Sequence, residues 1–567
     1  MRELLASKRL QLLAVLVLAA TPYFLGLGSS SLWDSNEAFY TETPRRMIET
    51  GDFISPEFNY QPRFNKPPLS YWIVALSYKL FGVSELSARL PVAMGAIIMI
   101  ITAFVLGRAV YSVEAGLYAA IALAISPRIL MFSRRIIIDV YIAMFMSLAL
   151  LFFLLSEKDT KRRRLYLVLM YASVGLGVLT KGPVALALPA VAFLIYLIVS
   201  KNLSRLRQMM LPAGALIIVA IVLPWYATVY ARHGWEYIES FILRDNLSRY
   251  TQPVWGPRRG VFFYIPVILG DMFPWSVFLI TALWVALKKR LPSTIRARLP
   301  AKSELAGVSD AEPDNPDGAN LSVLLWIWIA VIVVFFSLSS NKEDLYILPI
   351  YTAAAAIVGG TLAQVSTKWT TLLIASLILL LGAASLYIFG GYTEAPSVAG
   401  ASAIGITAFG GGLIAVALII WRRGRAAIIA TALTVIALNY IFVLRTLPDF
   451  ERYKPVRAFS DIIRSEASPD ALVGYYRLAS PSMVFYLRRP VFEYYNEEEL
   501  RMALSSGKEV YCLMKDEDYR SVRDSLPPTY ILATHPVFQV KLKSIFERVE
   551  RPQVLLISNK TGVAVLQ

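Results

Sequence analysis

Apolar runs of about twenty residues recur from the N-terminus to near residue 447, separated by short clusters of charge. That is the length an α-helix needs to cross the hydrocarbon core of a bilayer. The chain is 56% hydrophobic and only 17% charged over 567 residues, too apolar for a soluble protein of this size. The expected fold class is a polytopic α-helical membrane protein. The formal charge of +16 does not point to nucleic acid. The basic residues fall between the runs, where the positive-inside rule puts them, so membrane lipids are expected as partners and nucleic acid is not.

Met1 to Leu10 carries Arg2, Lys8 and Arg9 and leads into an apolar run reaching about Gly28. It is shaped like a signal peptide. No clean small-x-small cleavage site precedes the polar stretch that follows, so it reads as a retained first span with a cytoplasmic N-terminus. Counting onward gives about thirteen spans. The basic clusters at 158–164, 201–207, 288–302 and 422–425 then lie on the side of Arg2 and Lys8. Two long segments, 29–70 and 230–260, face the outside as loops, and Tyr71 to Phe81 is apolar but too short to span. The polar loop holding A-E-P-D-N-P-D-G-A-N has a disorder-like composition. The transmembrane domain is expected over 1–447. Over 448–567, short β-rich runs such as A-L-V-G-Y-Y and E-V-Y-C-L-M alternate with helix-like pieces. That pattern predicts a small soluble α/β domain on the external, periplasmic side of the inner (plasma) membrane.

A single cysteine, Cys512, excludes an intramolecular disulfide, and with only His233 and His535 a Cys- or His-rich metal site is excluded too. No P-loop or Rossmann glycine pattern is present, which removes support for ATP-driven transport. The polar residues gather instead in the outward segments. Asp34 and Glu37 are three apart, a spacing that shares a helix face. Arg63 and Lys66 repeat that spacing. The turn holding Arg134 and Asp139, the turn holding Lys342 and Tyr346, and the segment from Arg244 to Arg259 point the same way. A carboxylate can take a proton from a hydroxyl, and lysine or arginine can hold a phosphate and offset its charge as it leaves. The combination predicts transfer from a lipid-phosphate donor to an acceptor hydroxyl.

The order W-D-x-x-E-x-x-Y-x-E-x-x-R, then G-D-F, then N-K-P-P-L-x-Y-W, followed by T-K-G-P and N-K-E-D-L-Y-I-L-P, resembles the GT-C glycosyltransferases that use polyprenyl-phosphate sugars. The lipid A aminoarabinose transferases and the protein-mannosyltransferase-like group are the nearest of these. The resemblance implies thirteen spans, a long first outer loop and an external C-terminal domain. It implies that Lys66 contacts the donor phosphate, with Tyr40 an aromatic of the same site and Asp139 a second acid. Lys342 and Tyr346 would face the donor lipid, and Arg249 would join the phosphate-binding set. Two departures matter. Asn36 stands where relatives carry Asp before Glu37, which leaves Asp34, Glu37 and Asp139 all open as the base. Asn65 and Asn246 stand where aminoarabinose transferases carry a Glu and a His that can bind zinc. No zinc site is expected, another divalent cation stays open, and the departures argue against lipid A as acceptor and aminoarabinose as sugar.

The expected function is therefore transfer of a hexose or pentose from a polyprenyl-phosphate donor to a hydroxyl or phosphate of a lipid, glycan or protein acceptor at the external face. Lys66, helped by Arg63, Arg249 and Lys342, would stabilise the leaving phosphate, and Tyr40, Tyr346 and Arg134 would line the substrate site. A plain structural role stands beside each residue: a helix cap for Asp34 and Glu37, a headgroup contact for Arg63 and Lys66, a salt bridge to Arg134 or Arg135 for Asp139, and a helix-end lysine for Lys342 and Lys181. The rival reading is a lipid or solute transporter or flippase. It requires polar residues at mid-membrane, whereas these spans read as almost free of charge.

Overall fold

The computed structural model describes residues 2–251, 259–290, 316–364, 368–389, 398–538 and 552–560. The polar loop after residue 290 and the turn at Gly390 lie outside them. The chain opens with helices α1 (Arg2–Ala20), α2 (Asn36–Thr50), α3 (Leu69–Phe81), α4 (Glu85–Val110), α5 (Val113–Ala124), α6 (Pro127–Ser133), α7 (Ile138–Lys158), α8 (Arg163–Lys181), α9 (Val184–Val199) and α10 (Leu211–His233). Further apolar helices include Pro316–Leu338, Tyr351–Gln364, Lys368–Phe389, Ala401–Ile420 and Gly424–Ile441. Among the described residues nine helices are long and apolar enough to cross a membrane, or ten if the bent pair α5–α6 is one span. This is a multi-pass membrane protein, and among the described residues the full-length helices number fewer than the thirteen spans expected. The shortfall has a physical reason: α9 and the helices Val261–Asp271 and Ser276–Lys288 have 17 residues or fewer, and α1 carries charge through its first turns.

Small residues set the closest helix crossings. A Cβ on Gly359 would lie 2.2 Å from the Ala115 carbonyl oxygen, and one on Gly116 would lie 2.5 Å from that of Phe104. Apolar burial drives association little in lipid, so close backbone approach and van der Waals contact take its place. The expected straight third span is instead bent by 60° between α5 and α6. At the break the Ser126 hydroxyl donates to the Asp271 carbonyl (2.6 Å), and Arg128 pairs with both Asp271 (2.7 Å) and Asp344. The bend delivers the turn 134–137 to the head of α7.

The two ends of the bundle carry different elements. At one end Lys8 pairs with Glu114 (2.6 Å), and Arg163 and Arg205 both approach Glu157 at 3.8 Å. The other end carries α2, the start of α3 and the small hairpin β1 (Glu57–Phe58) and β2 (Gln61–Pro62). Over the described residues both long outer segments carry helix. Segment 29–70 is largely α2 plus that hairpin. Segment 230–260 continues α10, turning through Trp235–Ile238, Glu239–Ser248 and Arg249–Thr251. The last span likewise runs on in helical turns to Tyr453, six residues past the expected boundary at 447.

Beyond it sits a five-stranded sheet in the order β4-β3-β5-β7-β6, built from β3 (Leu472–Tyr476), β4 (Phe492–Tyr494), β5 (Val510–Lys515), β6 (Tyr530–Pro536) and β7 (Gln553–Ser558). β3 runs parallel to β4 and β5, and β7 antiparallel to β5 and β6. Cys512 is fully buried in β5 among Leu500, Leu504 and Ile557. The sheet domain rests on the first outer segment: Asn59 and Val491 exchange two hydrogen bonds (2.7 and 2.9 Å), and the Leu32 amide donates to the Tyr486 hydroxyl (2.8 Å).

Candidate active site

A cavity of about 420 Å³ opens between α7, α9, the helix Pro316–Leu338 and the segment carrying Asp245. One end is polar, lined by Lys66, Asp139, Lys181 and Asp245. The rest is apolar, with Ile142, Met146, Leu188, Phe335, Phe336 and Leu345 on its walls. Lys66 reaches it because Pro67 and Pro68 stiffen the approach to α3, which begins at Leu69. Lys66 pairs there with Asp245. Lys181 is the last residue of α8, which stops at Gly182 (φ 110°) and Pro183. It pairs with Asp139, in the first turn of α7. A cation at a helix C-terminus and a carboxylate at an N-terminus both sit favourably on the helix dipoles, so the two charges are stabilised before they meet. The Lys181 ammonium also lies 4.9 Å from the centre of the Tyr346 ring. Among the described residues no donor hydrogen-bonds the second oxygen of Asp139.

Next to this end, Tyr40 stacks on Tyr71 (5.5 Å, 25°), and the Arg63 guanidinium lies 3.8 Å from the centre of the Phe39 ring and donates to the Tyr71 hydroxyl at 3.4 Å. Burial, and then Tyr71, Asp139 and Asp245, hold the Tyr40 hydroxyl protonated well above its ordinary pKa, while Arg63 opposes them. Tyr40 therefore feels the same carboxylates that line the cavity.

The remaining expected residues lie elsewhere. Asp34 precedes α2 rather than sharing a helix face with Glu37, and it accepts from the Ser482 amide (2.7 Å) and hydroxyl (2.8 Å) of the sheet domain. Glu37 is 1% exposed and pairs with Arg89, also 1% exposed. Burial raises its pKa, but Arg89 and the amides of Trp33 and Ile136 outweigh that and hold the carboxyl below its ordinary range. Neither residue lines the cavity. Arg134 is not a partner of Asp139. It donates to the carbonyls of Pro22 (2.5 Å) and Gly26 (3.2 Å), bracing the end of α1. The Lys342 ammonium is buried on the Ser339 carbonyl (2.6 Å) of its own turn. The side chains of Arg249 and Asn246 lie outside the described residues. Among the described residues no three His, Cys, Asp or Glu side chains cluster as a metal site.

Sequence reasoning did not assign Asp245, Lys181 or Arg89 to this machinery. Arg89 and Lys181 stand at the ends of apolar runs, and an ionisable residue there is the signal that could have found them; Asp245 lies in a polar stretch and carries no such signal.

A family model described as dolichyl-phosphate-mannose-protein mannosyltransferase matches residues 65–227. A solved structure of ArnT from Cupriavidus metallidurans bound to undecaprenyl phosphate superposes with a TM-score of 0.74 at 22% identity, over 98% of this chain and 99% of that one. The chain shares the fold of ArnT. Its sequence relatives include an uncharacterized protein of Aquifex aeolicus, 29% identical over 65% of this chain and 69% of that protein. Another is undecaprenyl phosphate-alpha-4-amino-4-deoxy-L-arabinose arabinosyl transferase 2 of Pseudomonas fluorescens, 26% identical. That match covers 60% of this chain and 54% of the enzyme, so the similarity spans about half the length of the arabinosyl transferase. The matched stretch 65–227 holds three of the four charged cavity residues, Lys66, Asp139 and Lys181.

Proposed function

We propose that this chain is an integral-membrane glycosyltransferase that moves a sugar from a polyprenyl phosphate to an acceptor on lipid, glycan or protein. The observation that carries the reading is the two-part cavity. An apolar trough ends at two lysines, which suits a lipid tail leading to a phosphate. The tail would lie along Ile142, Met146, Leu188 and Phe336. The phosphate would meet Lys66 and Lys181, with Arg63 beside Tyr71 as a further cation near that end; Lys342 is held in its own turn and takes no part in this reading. An acidic donor competes for these lysines with Asp245 and Asp139, which frees the carboxylates as the donor enters.

Of the three carboxylates open as base, Asp139 fits best, because it lines the cavity and keeps an oxygen without a donor among the described residues. It would take the proton of the acceptor hydroxyl as that oxygen attacks the anomeric carbon. The bond from that carbon to the phosphate oxygen breaks, and the electron pair departs on the phosphate, where Lys66 and Lys181 offset it. Configuration inverts. Tyr40 and Tyr346 would flank the sugar. The basic clusters support a reading with their end of the bundle in the cytoplasm, in which the cavity would face the external side of the inner membrane and the sheet domain would lie outside. The sugar is a pentose or a hexose. A panel of polyprenyl-phosphate pentoses and hexoses, offered to purified protein in lipid with membrane extract as acceptor source, tests this. One donor should release free polyprenyl phosphate, and silence from the whole panel with folded protein would remove the reading.

A further inference from the structure

The carboxylate of Glu37 has no lone pair to spare. Arg89 grips both of its oxygens, Nε to Oε1 at 2.9 Å and Nη2 to Oε2 at 2.8 Å. The Trp33 amide donates to Oε2 at 2.7 Å and the Ile136 amide to Oε1 at 2.9 Å. An ionised carboxylate offers about four acceptor positions, and four donors fill them. A base needs an open lone pair within reach of the substrate proton, and Glu37 has neither the lone pair nor exposure.

What the four bonds join is informative. Arg89 belongs to α4 and also holds the carbonyls of Leu27 (3.0 Å), Ser30 (2.8 Å) and Ser31 (2.9 Å). Trp33 belongs to the first outer segment, and its ring lies 3.9 Å from both the Arg135 guanidinium and the Lys454 ammonium. Ile136 belongs to the turn that starts α7, three residues before Asp139. One buried ion pair thus ties the first outer segment and α4 to the backbone that aims Asp139 into the cavity.

We propose that Glu37, held by Arg89, is a positioning residue: it fixes the 134–137 turn and through it Asp139, and takes no proton itself. The proposal rests on the glycosyltransferase reading for its kinetic arm only. In that arm E37Q, R89M and the double variant E37Q/R89M are compared with wild type. A base shifted by about 1 Å loses roughly 100-fold in turnover. Each single variant is therefore expected to lose about that factor in kcat, with the double no worse than either, since both remove one constraint. The acid limb of the pH–rate profile is expected to keep its wild-type midpoint in all three. Multiplying losses in the double variant, or an acid limb that vanishes in E37Q, would make Glu37 a base and overturn the proposal. A single variant can fail to fold because it buries a lone charge. The double variant buries none and carries the same limb test.

The second arm needs no turnover. Hydrogen exchange of the Ile136 amide should speed by 10-fold or more in the double variant, while amides in the middle of α7 keep their rates. Unchanged exchange at Ile136 would overturn the proposal even with an active enzyme. Inactive wild-type protein would instead count against the glycosyltransferase reading and leave the exchange arm decisive.

Discussion

Lys181 at the end of α8 and Asp139 at the start of α7 form an ion pair at the polar end of the cavity, with the Lys181 ammonium also over the Tyr346 ring. The pair joins two antiparallel helices and puts a cation and a carboxylate within one bond of each other. Substituting Asp139 by Asn removes the charge and keeps the shape. Turnover should fall by roughly 10²- to 10⁴-fold, the usual worth of a general base, while the KM for the donor stays within a few-fold. A donor KM that rises as steeply as kcat falls would assign Asp139 to binding instead.

The sheet domain's grip on the first outer segment depends on pH through Lys454. Burial pushes its ammonium down to about 8, with Arg89 and Arg135 pushing the same way and Glu451 and Glu37 opposing. Between that value and the ordinary lysine range the undocked state binds more protons, so docking strengthens as pH rises, by on the order of 1.4 kcal/mol per pH unit. Limited proteolysis of the sheet domain at pH 7.5 and pH 9.5 checks this. Protection should grow at the higher pH, and Lys454→Met should flatten the difference.

Gly359 sits where the helix Tyr351–Gln364 crosses α5. Gly359→Ala forces the added carbon onto the Ala115 carbonyl, so the helices must part. Overpacking of this kind costs typically about 1–3 kcal/mol. The thermal midpoint in detergent should drop, whereas Gly424→Ala, where nothing lies within 4 Å, should leave it near wild type.

Filling the trough tests the donor's seat. Met146→Trp adds bulk to an apolar wall of the cavity and leaves both lysines in place. The KM for a long-chain donor should rise about 10-fold or more, as expected when apolar contact worth one or two methylenes is lost, and a donor with a short prenyl tail should be less affected.

The membrane class and the sheet domain were legible because both rest on local pattern: apolar length for the spans, and short β-rich runs for strands such as Val510–Lys515. Lys66, Asp139 and Tyr346 were singled out by the resemblance of their motifs to the GT-C glycosyltransferases, and all three line the cavity. Asp34 and Glu37 were legible as acids, but their partners were not. Arg89 lies 52 residues from Glu37 and Ser482 lies 448 from Asp34, and no local pattern encodes such pairings. Asp245 escaped for the same reason, since only the fold brings it to Lys66 across 179 residues. The two long segments read as loops because their polarity masks helix, whereas α2 forms around buried Glu42–Arg45 pairing that composition does not reveal.

The most direct test of the account compares polyprenyl phosphate release from the active donor by wild-type protein and by Lys66→Ala, with folding verified by a matched thermal midpoint. In the proposed mechanism Lys66 would carry the charge that develops on the leaving phosphate, and such a contact is typically worth about 3–4 kcal/mol in the transition state. The account predicts a loss of roughly 10²- to 10³-fold in kcat/KM. Wild-type release from the folded variant would contradict it.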